Sequence, residues 1–175
     1  MLPDDIIGWD LGGAHLKIAR MDVEGYVLGV AQVPCPLWQG VDYLRRGIDQ
    51  AMNALQCESG NHAVTMTGEL VDLFASRSEG VRTLIKVMED RLWPARIHWY
   101  AGAQGFLNSG ETRNAEHAIA SSNWLASASF VARHVPQALF VDIGSTTTDI
   151  IPIRDGMVAA RGCNDNDRLR FGEML

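Results

Sequence analysis

The chain has 175 residues, of which 47% are hydrophobic and 21% charged, and its formal net charge is −6. This composition is that of a folded globular protein and excludes collagen-like, coiled-coil and wholly disordered chains. Because its net charge is negative, the protein lacks the positive electrostatic potential that binding to a nucleic-acid backbone requires, so we expect no nucleic-acid partner.

The N-terminal half predicts an antiparallel meander of three strands followed by alternating helices and strands. The apolar runs of the meander are separated by glycine-containing turns, and hydrophobic residues then recur at steps of three and four, which is typical of an amphipathic helix. The predicted strands cover residues 6–11, 15–21, 26–33, 62–67 and 96–100, and the predicted helices cover 41–55 and 79–92.

The C-terminal half predicts a loop, one long helix and a second meander of the same plan. The loop covers residues 102–110, the helix 115–134, and the strands 138–143, 148–153 and 157–160. Pro136 ends the helix. We therefore place one lobe at residues 1–136 and the start of a similar, incomplete lobe at 137–175.

The cysteines and the N-terminal residues give no sign of export or of a membrane anchor. Cys35, Cys57 and Cys163 are widely spaced and form no CxxC pair, so neither a disulfide framework nor a zinc site is indicated. The start of the chain is acidic where a signal peptide is basic, and no apolar run approaches the roughly 18 residues of a membrane span. We expect a cytoplasmic protein with no membrane partner, and a homo-oligomer is possible.

The strongest functional signal is a near-repeat of a strand and a turn. Asp10 and Asp142 each end an apolar strand, and a glycine follows each of them two residues later. Glycines can take positive φ, which lets successive backbone N–H groups converge on one anion. The predicted phosphate-binding residues are Gly12, Gly13, Ala14, Gly144, Ser145, Thr146 and Thr147.

Carboxylates beside these turns are suited to Mg²⁺, which prefers oxygen ligands and bridges phosphate oxygens while keeping several waters. We predict Asp10, Asp142 and Asp149 as metal ligands. The alternative for Asp149 is that it caps the turn by accepting backbone N–H bonds. Lys17 is predicted to point toward the phosphate, with a solvated strand lysine as the alternative.

Five sequence runs resemble one branch of the actin, Hsp70 and sugar-kinase superfamily, in which two related lobes offer phosphate loops to a common cleft. The runs are DLGGAHLK (10–17), CPLWQG (35–40), TMTGEL (65–70), SNWLA (122–126) and DIGSTTTD (142–149). They resemble the hydantoinase/oxoprolinase-like family, and within it the proteins of tetrahydromethanopterin-linked one-carbon transfer. The resemblance implies an α/β fold of the actin-like ATPase (ribonuclease H-like) type, with a mixed sheet and flanking helices, and relatives about twice this length.

The resemblance also implies a transferase of methanofuran biosynthesis that works without ATP. It would join an aminomethylfuran-methyl diphosphate to the phenol of a glutamyl-tyramine and release pyrophosphate. Turn N–H groups, Lys17 and Mg²⁺ would stabilise the leaving diphosphate. A phenol has a pKa of about 10, so a base is required, and Glu69 is the candidate. The alternative for Glu69 is that it complements the dipole of the next short helix.

Three further residues are predicted to line the substrate pocket. Trp38 and Gln39 follow a proline-bracketed cysteine, and the alternative is that they only close the edge of the lobe. Asn123 falls inside the predicted long helix, where asparagine is a poor helix former, so it implies a specific hydrogen bond.

Two other functions use the same features. An ATP-dependent kinase or a hydantoinase/oxoprolinase-type amidohydrolase would bind a nucleotide with the same two turns. An inactive phosphate-binding fragment is the third hypothesis, because only a polar stretch follows residue 160 to cover the second meander. We therefore expect a truncated chain.

Overall fold

The computed structural model describes residues 5–57, 60–144, 147–162 and 164–175. The chain divides into two compact units, Met1–Asn123 and Trp124–Leu175. The helix before Pro136 therefore groups with the second unit, although the sequence placed it in the first lobe. The extent of the two lobes stays a prediction.

The described strands of the first unit form one mixed sheet in the order β3-β2-β1-β4-β5-β6. Its strands are β1 (Ile6–Leu11), β2 (His15–Met21), β3 (Val27–Pro34), β4 (Asn61–Met66), β5 (Arg96–Tyr100) and β6 (Phe106–Asn108). Its helices are α1 (Val41–Ala54), α2 (Arg77–Leu92) and α3 (Glu116–Ile119). β4 runs parallel to β1 and β5, and the other pairs are antiparallel.

The core of this unit lies on one face of the sheet, because side chains alternate between the faces of a strand. Ile7, Trp9 and Leu11 of β1 are buried in one cluster with Ile48 of α1 and Met88 of α2. Burying an aliphatic side chain of this size contributes roughly 1.5–3 kcal/mol. The opposite face of β1 and β2 carries Gly8, Asp10, Lys17 and Ala19.

Two predicted segments differ from the structure. The loop at 102–110 contains the short strand β6, which pairs with β5. The helix predicted at 115–134 is two helices, α3 and α4 (Asn123–His134), separated by a break at Ser121, whose φ is 47°. The Ser121 hydroxyl donates to Glu69 Oε1 at 2.7 Å, and the Ser122 hydroxyl donates to the Tyr100 carbonyl at 3.0 Å. These bonds replace helical continuity with contacts to distant segments.

The second unit is a three-stranded antiparallel sheet with α4 and a short helix, α5 (Asp165–Arg170). The strands are β7 (Ala138–Ile143), β8 (Thr148–Arg154) and β9 (Met157–Val158). Asp155 and Gly156, both at positive φ, make the β8–β9 turn as predicted. Trp124 and Ala128 of α4 pack with Ile151 on one sheet face.

The other face of this sheet is apolar and exposed. Leu139, Val141 and Ile143 of β7 are 64%, 46% and 77% exposed. The end of the chain pairs beside β8, where Ile150 donates its N–H to the Glu173 carbonyl at 2.8 Å. Among the described helices, none is long and apolar enough to cross a membrane.

Candidate functional site

The first predicted phosphate turn joins β1 to β2. Gly12 donates its N–H to the His15 carbonyl at 3.1 Å. Neither Gly12 nor Gly13 lies in the left-handed region of φ, so positive φ is not what requires these glycines. Space is the reason instead, because a Cβ would stand 2.7 Å from His15 O at Gly12 and 2.7 Å from Val71 Cγ1 at Gly13.

Two other segments pack against this turn. Backbone N–H groups of Cys35 and Leu37 donate to the carbonyls of Ala14 and Gly13 at 2.8 and 3.0 Å. The Thr67 N–H donates to the Leu11 carbonyl at 3.0 Å. The structure thus brings three of the sequence runs together: the turn, the segment 35–40 and the loop 67–71.

The turn presents unused donors at its tip. Within the described ranges, the Gly13 and Ala14 N–H groups have no hydrogen-bond acceptor, and Ala14 is exposed. Trp38 and Gln39 are also exposed and belong to the segment that packs on the turn. Adjacent N–H groups at an open turn form a concavity suited to an anion.

Asp10 and Lys17 face each other across β1 and β2, directly before and after the turn. Lys17 Nζ lies 3.0 Å from Asp10 Oδ2, and the lysine side chain is 62% exposed. Asp10 Oδ1 is buried and has no hydrogen-bond partner among the described residues. The ion pair accounts for one carboxylate oxygen and leaves the other available for a cation or a donor.

A groove of about 550 Å³ begins at this ion pair and runs along the sheet face away from the turn. Six of its lining residues alternate along three strands: Lys17, Val30 and Gln32 are exposed, and Gly8, Asp10 and Ala19 are half-buried. The strand register sets them in two rows, Gly8–Ala19–Val30 and Asp10–Lys17–Gln32. The groove therefore has one apolar row and one polar row.

Glu69, the predicted base, lies in the loop 67–71 with its side chain fully buried. Ser121 Oγ and Arg77 Nε both donate to Oε1, at 2.7 and 3.3 Å. Oε2 is buried without a partner in the described part of the chain. Burial raises the pKa of Glu69, and the hydrogen bond from Ser121 and the charge of Arg77 oppose that increase in part.

The loop that holds Glu69 is fitted closely to the turn. A Cβ at Gly68 would stand 3.1 Å from the Leu11 carbonyl and 3.0 Å from Leu37 Cδ2. A Cβ at Gly80 of α2 would stand 2.8 Å from the Glu69 carbonyl. The position of Glu69 is thus coupled by contact to the geometry of the turn between β1 and β2.

The second predicted turn repeats part of this arrangement in the second unit. Gly144 donates its N–H to the Thr147 carbonyl at 2.9 Å, as Gly12 does to His15. Ser145 and Thr146 lie outside the described residues. Asp142 of β7 is exposed and pairs in register with Asp149 of β8. Asp149 thus has the position opposite Asp142 that Lys17 has opposite Asp10.

Asp149 has a partner that the sequence did not indicate. Its Oδ1 accepts a hydrogen bond from Arg168 at 2.8 Å, and the Arg168 side chain is 1% exposed and stacks on Trp124 with 3.9 Å to the ring centre. Arg168 sits in a polar tail of mixed charges, so nothing local distinguished it. Asn123, the remaining predicted pocket residue, begins α4 instead of lying within a longer helix.

The described part of the chain contains no group of three His, Cys, Asp or Glu side chains placed to hold a metal. Mg²⁺ is commonly held by only one or two carboxylates together with substrate phosphates. The free Oδ1 of Asp10 is suited to such a role, whereas Asp149 is engaged by Arg168.

Comparison with known proteins gives matches over most of the chain. The model of the hydantoinase/oxoprolinase family matches residues 61–169. The (4-{4-[2-(gamma-L-glutamylamino)ethyl]phenoxymethyl}furan-2-yl)methanamine synthase of Methanocaldococcus jannaschii is 32% identical over 171 residues, which is 97% of this chain and 49% of that protein. The chain thus spans about half the length of this curated relative.

Solved structures match at the level of the fold. The ethanolamine utilization protein EutJ from Carboxydothermus hydrogenoformans is 17% identical with a TM-score of 0.51, over 91% of this chain and 51% of that one. An inorganic polyphosphate/ATP-glucomannokinase from Arthrobacter sp. strain KM is 17% identical with a TM-score of 0.48, over 97% and 72% of the two chains. The predicted fold class, that of actin-like ATPases and sugar kinases, is confirmed.

Proposed function

Since the chain belongs to the hydantoinase/oxoprolinase family, as its sequence predicts, we propose that it carries the diphosphate site of a synthase of methanofuran biosynthesis. The synthase would join an aminomethylfuran-methyl diphosphate to the phenol of γ-glutamyl-tyramine. The relative from M. jannaschii is named for a product with this phenoxymethyl-furan linkage. The observation that carries the proposal is the first turn, whose Gly13 and Ala14 N–H groups have no acceptor in the described ranges and which is followed on β2 by the exposed Lys17.

The proposed reaction breaks the bond between the furan-methyl carbon and the diphosphate oxygen. The electron pair leaves with pyrophosphate, and the phenol oxygen forms the new ether bond to the same carbon. Negative charge grows on the leaving group, so the N–H groups of Gly13 and Ala14 and the ammonium of Lys17 would act on the charge where it develops. A furan ring stabilises the methylene cation, so a well-held leaving group lowers the barrier.

We propose Mg²⁺ as the cofactor. Asp10 would hold it through the buried Oδ1, which has no partner among the described residues. Asp142 offers an exposed carboxylate in the second unit, whereas Asp149 is already paired with Arg168. When bound, the ion supplies positive charge to the diphosphate oxygens.

Glu69 is the proposed acceptor of the phenol proton, because its Oε2 has no partner in the described ranges and burial raises its pKa. Its side chain is closed to solvent in this structure, so the same contacts also support a role in holding the loop 67–71 against the turn. Glu69→Gln separates the two roles. It keeps an oxygen acceptor for Ser121 and removes basicity, so loss of turnover with unchanged pyrophosphate affinity supports the base, and retained turnover contradicts it.

Calorimetric titration with Mg²⁺ and pyrophosphate, and separately with Mg²⁺ and ATP, tests the proposal. We expect pyrophosphate to bind and ATP to bind no more tightly. Lys17→Met should weaken pyrophosphate binding about tenfold, and Lys17→Arg, which keeps the charge, should weaken it less. Binding of ATP alone would support the kinase or amidohydrolase hypothesis, and binding of neither ligand would overturn the diphosphate site. Incubation with both substrates and detection of the ether by mass spectrometry then tests synthase activity directly.

A further inference from the structure

The groove beside Asp10 and Lys17 has a feature that packing does not explain. Gly8 stands in β1, between β2 and β4, with φ outside the left-handed region. A Cβ built at Gly8 meets no atom nearer than Ala19 O, at 4.0 Å. Glycine weakens a strand interior because it costs conformational entropy and packs no side chain.

A glycine that neither its backbone conformation nor its neighbours require is often found where a ligand or another backbone approaches the strand closely. The register partner of Gly8 in β2 is Ala19, the next smallest residue, so the two make a flat floor. Val30, which is 71% exposed, stands beside Ala19 in β3 and forms an apolar wall.

The polar row lies between this floor and the turn. It carries the exposed ammonium of Lys17, the Asp10 carboxylate that pairs with it and the side chain of Gln32. The order along the strands is thus apolar floor, charged row, then the N–H groups of Gly13 and Ala14. A molecule that fits this order has a flat apolar ring joined through a short link to a strongly anionic group.

We propose that the groove binds the aromatic ring of an aryl-methyl diphosphate, with the ring on Gly8 and Ala19 and the diphosphate at Lys17 and the turn. This rests on the proposed function and adds to it the subsite that recognises the organic part of the donor. A volume of about 550 Å³ lies within the range of small-ligand sites. Gly8 is then a specificity-determining residue that leaves room for the ring.

The test compares pyrophosphate with 2-(furan-2-yl)ethyl diphosphate, whose extra methylene prevents formation of the stabilised cation. Gly8→Val adds bulk to the floor and suits a strand. Ala63→Val is the matched control, because Ala63 is the partner of Gly8 in β4 and does not line the groove. Circular dichroism and thermal unfolding confirm folding, and Gly8→Ala, for which the structure has room, serves if the valine variant does not fold.

We expect the wild-type protein to bind the furan ester at least tenfold more tightly than pyrophosphate. Gly8→Val should abolish that advantage and leave pyrophosphate affinity unchanged, while Ala63→Val changes neither. Tight ester binding by Gly8→Val would overturn the groove assignment, as would an equal loss of both ligands. If the wild-type protein binds pyrophosphate but gains nothing from the furan ring, only the groove proposal fails. If it binds neither, the proposed function fails and the groove proposal with it.

Discussion

The buried histidine of the first unit makes a quantitative prediction about acid stability. His62 of β4 is fully buried, and its Nδ1 accepts a hydrogen bond from Trp9 Nε1 at 2.9 Å. Burial disfavours the imidazolium and lowers the pKa of His62 from 6.5 to about 4. The folded protein therefore keeps His62 neutral at pH values where the unfolded chain binds a proton.

The sign and size of the effect follow from this difference. Because the unfolded state takes up a proton below its pKa of about 6.5, the free energy of unfolding falls as the pH falls from there to about 4. Each unit of pKa difference corresponds to 1.36 kcal/mol, so the full loss is about 3 kcal/mol, and about 2 kcal/mol is lost by about pH 4.5. Glu69 contributes a slope of the opposite sign. Because its pKa is raised in the folded state, its ionisation lowers the free energy of unfolding as the pH rises.

Urea unfolding followed by circular dichroism, at several pH values between about 7 and 4.5, measures the slope. His62→Asn is the control, since the asparagine oxygen can accept the Trp9 bond and does not titrate. Comparison at each pH cancels the contributions of Glu69 and other carboxyl groups. We expect the wild-type protein to lose about 2 kcal/mol more than the variant over this range. Equal losses in the two proteins would refute the assignment of a neutral buried His62.

Three further predictions concern the turn and the buried polar contacts. Gly13→Ala should reduce pyrophosphate affinity about tenfold, because the added methyl group forces the turn against Val71. Adding Val71→Ala should restore the affinity in the same titration. A double variant that binds as weakly as the single variant would contradict this steric explanation. Ser121→Ala should lower the free energy of unfolding, measured in urea, by about 1–2 kcal/mol because the hydrogen bond to Glu69 is lost. Ser121→Gly should lower it by less, since glycine adopts the positive φ of this position without strain. The reverse order would mean that the positive φ carries no strain. Arg168→Met should destabilise the protein by about 3 kcal/mol because it leaves Asp149 without its cation. The double variant with Asp149→Asn should recover part of that loss. No recovery would show that the stacking of Arg168 on Trp124 matters more than its ion pair with Asp149.

The parts of the fold that the sequence predicts are those with strong local periodicity. The apolar alternation of β1 and β2 and the three-and-four spacing of α1 are local signals, and these elements match the structure closely. The break at Ser121 was not predicted, although Ser121, Ser122 and Asn123 are residue types that favour helix starts over helix interiors. Its hydrogen bond to Glu69 joins residues far apart in the chain, which no window of sequence contains.

In the candidate site, too, local sequence patterns predicted some features, and contacts between distant residues determine the others. The first turn was predicted from its Asp-x-Gly pattern, yet the reason for Gly13 is the neighbouring Val71, which only the folded chain brings near. The groove needed the register of three strands, since Gly8, Ala19 and Val30 become neighbours only through pairing. The sequence therefore predicted the turn between β1 and β2 as a candidate site, whereas the groove beside it was not predicted.

The exposed apolar row of β7 has a practical consequence for work with these residues. In the described sheet β7 pairs with β8 along one edge, and its other edge offers unpaired N–H and C=O groups next to Leu139, Val141 and Ile143. An open strand edge with an apolar face is a template for intermolecular pairing. Preparations should thus aggregate with rising concentration, and a single lysine in place of Val141 should act as a gatekeeper that keeps the protein dispersed for binding measurements.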